Sequence, residues 1–363
     1  MHDFIVVGAG PAGSRFAHSA AKRNHDVLMF EHGEIGRPLA CSGHVSTDIW
    51  EYVPEDARDE LFQNEIRGAR FHTGGPETDS EPFYKDEPVS NAIDRVGLDK
   101  TLAEMADRAG ADVRDQHTVT ALEEHRDHVT VTVNGPDGTE HHDARMVAGC
   151  DGPRSRVRRE CELPQPEEFL HGVLAFDSTP DHDAFVDVHL TMPAFFAWRI
   201  PRGDAGVEYG LAAAPDSDVS GRFSSFCDAY GVDVSHRCSG AIPIGPPRRV
   251  IGRRSFLIGD AAGQTKPFTG GGILYGMRAA DHAAREIEPT RPGTLGEYER
   301  AWRDDLSTEI RLGHWIRRAY SLPSAVQSAG LDALSGEIGV HMDRPSTLFS
   351  REQLRAVLSA SEQ

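Results

Sequence analysis

Six residues near the start, Gly8-Ala9-Gly10-Pro11-Ala12-Gly13, constrain the fold more than any other part of this 363-residue chain. They follow an apolar run, residues 3–8, that reads as a buried parallel strand. They precede residues 12–23, which read as a helix, and Val27 to Glu31, which reads as a second strand. The chain therefore opens on a βαβ unit. In that setting Gly8 permits a tight turn, Gly10 lets backbone approach a pyrophosphate, and Gly13 lets helix and strand pack closely. The phosphates would meet the positive end of the helix. Glu31 lies 18 residues past Gly13, where its carboxylate can accept both hydroxyls of a ribose. A bound dinucleotide is expected. The spacing alone does not separate FAD from NAD.

Further along, residues 98–109 place apolar side chains at 98, 102, 105, 106 and 109, a helical period. Val129, Val131 and Val133 alternate with threonines, and Asn134-Gly135-Pro136-Asp137-Gly138 predicts a hairpin turn. Residues 145–151 return to a buried strand. From about 165 to 250 the texture changes to short strands (184–191, 195–200, 207–213) between Pro and Gly turns, an antiparallel sheet inserted into the first domain. Ser255 to Ile258 reads as a buried strand, Gly272 to Ile287 as a helix and residues 294–318 as a long amphipathic helix. Some helix is expected near 351–358.

Charge narrows the partners. Asp plus Glu number 57 against 38 Lys plus Arg, a net charge of −19. Such a surface repels phosphate backbones, so no nucleic-acid partner is expected. Only four of the 38 basic residues are lysines: Lys22, Lys85, Lys100 and Lys266. Scarce lysine with excess carboxylate resembles the proteins of salt-loving archaea, whose self-repulsion is screened by salt. A GC-rich genome, which also replaces Lys by Arg, is the ordinary alternative. The five cysteines (Cys41, Cys150, Cys161, Cys227, Cys238) are odd in number and form no CxxC pair. That argues against a disulfide framework, a zinc ribbon or an iron–sulfur cluster, so no metal is expected and the reducing cytoplasm is the expected compartment. No apolar run approaches the ~20 residues of a membrane span. No leader pattern opens the chain, so an integral membrane protein or a secreted precursor is not the expected class.

Two more stretches bear on the cofactor. One is Asp151-Gly152-Pro153-Arg154-Ser155-Arg156-Val157-Arg158; the other is Gly259-Asp260-Ala261-Ala262-Gly263 with Pro267 and Gly270-Gly271-Gly272-Ile273. Both resemble the flavoprotein superfamily of para-hydroxybenzoate hydroxylase. Gly259-Asp260 alone would read as a helix cap. Within that superfamily the chain resembles the geranylgeranyl reductase family, including archaeal enzymes that saturate the isoprenoid chains of ether lipids. Cys41-Ser42-Gly43 carries this, as do Pro193-Ala194-Phe195-Phe196-Ala197-Trp198-Arg199-Ile200-Pro201, close to a PxxYxWxFP signature, and Pro267-Phe268-Thr269-Gly270-Gly271-Gly272-Ile273. Glu297 to Arg303 is the fourth match, and the resemblance covers residues 1 to about 320. Phe196 stands where the signature has Tyr, and Ile200 where it has Phe.

The resemblance implies an α/β fold: a Rossmann-like FAD-binding domain, an inserted antiparallel β-sheet substrate domain and a C-terminal helical segment. The expected domains are 1–160 (FAD, with 60–95 contributing to the substrate side), 161–250 (substrate), 251–293 (FAD, second part) and 294–363 (helical). It implies FAD held by Gly8, Gly10, Pro11, Ala12, Gly13, Glu31, Cys41, Ser42, Gly43, Arg95, Val119, Asp151, Gly259, Asp260, Pro267, Gly271, Gly272 and Ile273. Arg95 is read as preceding a helix and pairing with a pyrophosphate oxygen, and Val119 as ending an edge strand and offering backbone to adenine. Phe196, Trp198 and Pro201 would line the substrate pocket. Their ordinary alternative is sheet core.

The implied activity is hydride delivery from reduced FAD to an isolated prenyl double bond. Such addition needs a proton donor, for which Cys41 and His44 are the candidates. A small packed thiol and a polar residue at a helix start are their bland readings. The partners implied are a prenyl lipid and a transient electron donor, namely ferredoxin, NAD(P)H or a quinol; no second GxGxxG is present. A peripheral contact with the inner face of the cell membrane would follow from a lipid substrate. Leu322, Val326 and Leu334 are candidates for it, though packing on the protein body is the blander expectation. The rival is an FAD-dependent monooxygenase or halogenase of the same fold, since residues 196–201 lie one residue from a halogenase WxWxIP signature. A flavin-bearing scaffold or lipid carrier and a reductase of another prenyl chain are further alternatives.

Overall fold

In the computed structural model, which describes residues 1–39, 41–234, 236–336 and 343–349, the chain forms two compact units. The first comprises Met1–Leu39, Arg95–Glu168 and Ile242–Ser307; the second comprises Ala40–Asp94, Phe169–Ala241 and Thr308–Gln363. The helix expected near 351–358 lies outside the described residues.

The sheet of the first unit runs in the order Asp112–Arg114, Val27–Phe30, His2–Val7, Gly138–Gly149, Val129–Gly135, Thr118–Glu124, with Ser255–Leu257 paired to Gly138–Gly149. The opening strand is buried from Phe4 to Val7 and pairs in parallel with Val27–Phe30 and Gly138–Gly149. Gly138–Gly149 is 12 residues long and starts well before the expected 145. Its first half belongs to the hairpin, with Gly135 opposite Gly138 across the Pro136-Asp137 turn. Its second half is parallel to both His2–Val7 and Ser255–Leu257. Register positions the site. Val7 lies opposite both Phe30 and Gly149, and Gly149 opposite Leu257. The turns after all four strands therefore leave the sheet at one carboxyl edge, where doubly wound folds bind ligands.

Helix Pro11–Ala21 buries Phe16, Ala17, Ala20 and Ala21. Phe16 meets Phe4 and Phe256 edge-on at 5.2 and 5.3 Å, and Tyr298 of helix Leu295–Arg318 closes on Phe256 at 5.8 Å. Burying one such ring contributes ~1.5–3 kcal/mol. The helix expected from residue 98 begins at Arg95, because Arg95 and Asp99 pair one turn apart and allow a polar first turn to be buried.

The second unit holds a seven-stranded sheet ordered Arg237–Ile244, Glu168–Asp177, Val207–Ala213, Phe195–Pro201, Phe185–Met192, Gly68–His72, Ser80–Tyr84. From Glu168–Asp177 to Phe185–Met192 neighbours are antiparallel, but Phe185–Met192 pairs in parallel with Gly68–His72. Alternation along Phe195–Pro201 sends Ala197 into the core beneath helix Val219–Ala229, with Tyr209, Leu211, Phe223 and Phe226. Trp198 and Ile200 face the opposite side, with Ile66, Ala92 and Val186. A three-stranded sheet of His44–Ser46, Ser90–Ile93 and Phe62–Ile66 completes the unit.

Candidate active site

Four turns at the carboxyl edge of the first unit's sheet carry most of the residues singled out from sequence. Gly8 has φ of +102°, and a Cβ there would fall 2.4 Å from the carbonyl oxygen of Cys150. A Cβ on Gly13 would fall 1.9 Å from the carbonyl oxygen of Gly8. At Gly10 no atom beyond its own chain neighbours lies within 4 Å of that position among the described residues, so its backbone is open to an approaching ligand. Glu31 is fixed from two sides: Oε2 accepts the N–H of Ala9 at 2.7 Å and Oε1 that of His32 at 2.9 Å. A carboxylate has roughly four lone-pair positions, so acceptor capacity remains for sugar hydroxyls.

Asp151 serves locally as a cap. Its Oδ2 accepts the N–H groups of Arg156 at 2.6 Å and Val157 at 3.1 Å, at the start of helix Arg156–Glu160. Burial pushes its carboxyl up, against the hydrogen bonds from Ser155 and the backbone. Its Oδ1 has no hydrogen-bond partner among the described residues. Arg158 ties this turn to the next one, donating to the carbonyls of Pro153 at 2.7 Å and Ala261 at 2.9 Å.

Gly259 has φ of +68° and opens the turn Gly259–Ala262; a Cβ there would lie 2.9 Å from Cβ of Ala12. Gly276 makes the same close approach, its missing Cβ 3.2 Å from Ala12. A Cβ on Gly272 would fall 2.5 Å from Oδ1 of Asp260. The carboxylate thus rests on bare backbone at the start of helix Ile273–Glu286, the positive end of its dipole. Burial pushes Asp260 up to about 6, and Arg95 opposes this. Arg95 opens its helix rather than preceding it, and pairs with Asp99 at 2.5 Å. Burial raises the Asp99 carboxyl, with Arg95 pulling it down. Gly271 gives room to Lys266, whose Cε would be 2.8 Å from a Cβ; Pro267 is buried beside it and Ile273 begins the helix. Val119 is the second residue of edge strand Thr118–Glu124, not its end, because a bulge at Thr132/Val133 carries the pairing on to Thr118.

Sequence reasoning missed Gln264 and Gly276. Gln264 is buried; its Oε1 accepts the N–H of Gly259 at 2.7 Å and its Nε2 donates to Tyr298 at 3.2 Å. The Tyr298 hydroxyl donates to the carbonyl of Leu257 at 2.7 Å. A glutamine has no pattern of its own, and Gly276 gains meaning only once two helices are packed.

In the second unit, Cys41-Ser42-Gly43 leads into strand His44–Ser46. Gly43 has φ of +72° and its carbonyl accepts the N–H of Ile93 at 3.0 Å. The Ser42 hydroxyl accepts the N–H of His44 at 3.0 Å, and His44 Nε2 lies 2.8 Å from Oγ of Ser90. His44 therefore begins a strand, not a helix. Cys41 is half-buried, and none of the five cysteines forms a disulfide. Phe196 stacks on Phe195 with centroids 4.3 Å apart and meets Trp198 and Tyr320 edge-on at 5.9 and 5.8 Å. The Trp198 indole lies over Gly210, where a Cβ would be 2.3 Å from the ring. Its Nε1 donates to Oε1 of Glu208 at 2.8 Å. Arg202 donates to Oε2 of Glu208 at 2.8 Å, and to the carbonyls of Ser42 and Ile93 at 2.6 Å each. Burial pushes Glu208 up to about 7; Arg202, Trp198 and Ser42 pull it down. Pro201 ends the strand, its carbonyl accepting from Asn64 at 3.1 Å.

Among the described residues no group of His, Cys, Asp and Glu could hold a metal ion, and no helix is long and apolar enough to cross a membrane. The FAD binding domain family matches residues 54–201, and the NAD(P)-binding Rossmann-like domain family residues 6–46. Digeranylgeranylglycerophospholipid reductase 1 of Methanopyrus kandleri is 32% identical over 333 residues, spanning 84% of this chain and 86% of that protein. Digeranylgeranylglycerophospholipid reductase 2 of Methanothermobacter thermautotrophicus is 29% identical over 331 residues, 85% of each. A solved geranylgeranyl bacteriochlorophyll reductase-like protein of Thermoplasma acidophilum matches with a TM-score of 0.85 over 99% of this chain and 96% of that one, at 22% identity. Flavin-dependent halogenases match at 14–19% identity, a likeness of fold alone. The bare backbone at Gly10 and Gly272, with Glu31 and Asp260 beside them, fits FAD. The fold and these residues define an FAD-dependent oxidoreductase. More narrowly, the chain belongs to the digeranylgeranylglycerophospholipid reductase family.

Proposed function

We propose that the protein saturates isolated double bonds in the geranylgeranyl chains of archaeal ether lipids. The observation that carries this reading is the aromatic row of Trp198, Phe196 and Tyr320, joined through Glu208 and Arg202 to the Cys41-Ser42-Gly43 loop. Aromatic faces grip a featureless hydrocarbon by area, at ~25 cal/mol per Å².

FAD, when bound, supplies the two-electron chemistry. Gly8, Gly10, Pro11, Ala12 and Gly13 hold its pyrophosphate at the helix start, with Arg95 as counter-charge. Glu31 takes the adenosine ribose, Val119 backbone the adenine, and Asp260 the ribityl chain. Pro267, Gly271, Gly272 and Ile273 present bare backbone and a positive helix end to the ring, while Asp151 and Gly259 shape the turns beside it. The family resemblance also assigns Cys41, Ser42 and Gly43 to the flavin.

An alkene not conjugated to a carbonyl must take a proton on one carbon as hydride reaches the other. Cys41 holds that proton at its thiol. His44, engaged with Ser90, is the second candidate. Phe196, Trp198 and Pro201 position the chain and exclude water. Electrons come from a transient donor: NAD(P)H, ferredoxin or a quinol. The NAD(P)-type match at 6–46 overlies the FAD motif, so it adds no second nucleotide site.

Lipid reaches the enzyme by peripheral contact with the inner face of the cell membrane. Trp315, Leu322, Val326 and Leu334 are exposed by 67, 47, 53 and 49%, which leaves apolar surface for such a contact. The net charge of −19 suits a salt-loving archaeon, where screening removes self-repulsion. Oxygen tests the reaction class. A reductase takes up no oxygen in proportion to prenyl lipid, whereas one-for-one uptake with oxygen in the product would overturn the reading.

A further inference from the structure

An acid with no exposed surface sits in the middle of the second unit. Glu208 is 0% exposed and Arg202, its partner, 4%. Burying two charges is costly, and a pair of this kind is seldom the most stable filling for the space. Its geometry shows what it joins. One carboxylate oxygen of Glu208 takes the indole N–H of Trp198 at 2.8 Å; the other takes Nη1 of Arg202 at 2.8 Å. The same Nη1 reaches the Ser42 carbonyl at 2.6 Å, and Nη2 the Ile93 carbonyl at 2.6 Å. Ile93 in turn donates its N–H to the Gly43 carbonyl at 3.0 Å. The loop is thus held at the carbonyls of both Ser42 and Gly43, immediately after Cys41. Trp198 is held equally firmly, since its ring lies over Gly210 and its one donor is committed to Glu208.

We propose that Glu208 is a positioning residue that, with Arg202, locks the Cys41-Ser42-Gly43 loop and the Trp198 ring into one fixed arrangement. The ion pair couples the segment that holds the proton to the segment that grips the chain, so one double bond at a time is presented in register. The consequence for turnover rests on the reductase reading; the coupling itself does not.

Alkylation of Cys41 by iodoacetamide in the FAD-loaded full-length protein, followed peptide by peptide by mass spectrometry, reports the loop without any substrate. Glu208→Gln leaves Arg202 without a counter-charge, and Cys41 should alkylate about tenfold faster, the size of one charge-assisted hydrogen bond. In prenyl reduction the same variant should lose about tenfold in kcat with KM within about twofold, because grip by apolar area is kept. The double variant Arg202→Met with Glu208→Leu replaces the pair by apolar bulk and keeps the fold even if Glu208→Gln does not. If the pair only stabilises the fold, the double variant returns both rates to wild type, and the proposal is overturned. It is overturned equally if Glu208→Gln folds and leaves Cys41 alkylation unchanged. Both rates remaining shifted in the folded double variant supports it. A shifted alkylation rate in a protein that reduces no prenyl lipid would support the coupling and remove the reductase reading.

Discussion

Oδ1 of Asp260 occupies the space that a side chain at Gly272 would need: a Cβ there would lie 2.5 Å away. The acid and the glycine are twelve positions apart, yet the carboxylate keeps its place only while residue 272 has no side chain. Gly272→Ala should push the carboxylate off the helix start and lower FAD affinity about tenfold or more, the cost of losing a charged acceptor. Flavin retained after dialysis, with circular dichroism as a check on folding, measures this. Asp260→Ala should have a like effect.

Asp260 also sets a pH dependence in the FAD-free protein. Burial holds its carboxyl at about 6 against an ordinary 3.8. The folded state therefore binds this proton more tightly than the unfolded chain. Its contribution to stability is full below the unfolded value and is lost as pH rises through the folded one. Asp260→Asn does not titrate, so the Tm of wild type minus variant should fall from about pH 4 to about pH 6.5 and then level off. Thermal melts across that window test it; a difference that rises with pH would refute it.

Gly210→Ala should spare the cofactor and injure the substrate. Its methyl group would sit 2.3 Å from the Trp198 ring and force the indole to turn. FAD content should be unchanged, while kcat/KM for a prenyl lipid drops about tenfold or more, as misplacing a positioning group does. Steady-state kinetics on FAD-saturated protein is the measurement.

Replacing Trp315, Leu322 and Val326 together by serine should release the protein from liposomes. About half or more of each side chain is exposed, so the fold loses little. In flotation assays with archaeal-type lipid the wild type should rise with the vesicles and the variant remain below. Activity on detergent-dispersed lipid should persist in both.

The parts legible in the sequence are those built on local rules. The opening βαβ unit follows from the apolar run before Gly8 and the glycine spacing after it, because strand, turn and helix are neighbours along the chain. The hairpin at 134–138 is likewise local. What was not legible depends on distant partners. The parallel pairing of Phe185–Met192 with Gly68–His72 leaves no mark on either segment alone. Glu208 is hidden for a related reason. Strand Val207–Ala213 is buried at every position, so no alternation singles the acid out, and its partner comes after the neighbouring strand. Arg95 reads as a residue before a helix because its own apolar period starts later, at Leu98; only the buried pair with Asp99 extends the helix back to it.

Saturation of an isolated alkene is what separates a prenyl reductase from an oxygenase or halogenase of the same fold. The decisive measurement is mass spectrometry of a geranylgeranyl glycerolipid incubated with anaerobic, chemically reduced enzyme. Mass gains of whole hydrogen pairs are expected, with Cys41→Ala lowering turnover much more than FAD content. A product carrying oxygen or halogen, or peroxide alone with every prenyl lipid tried, would contradict the reductase reading.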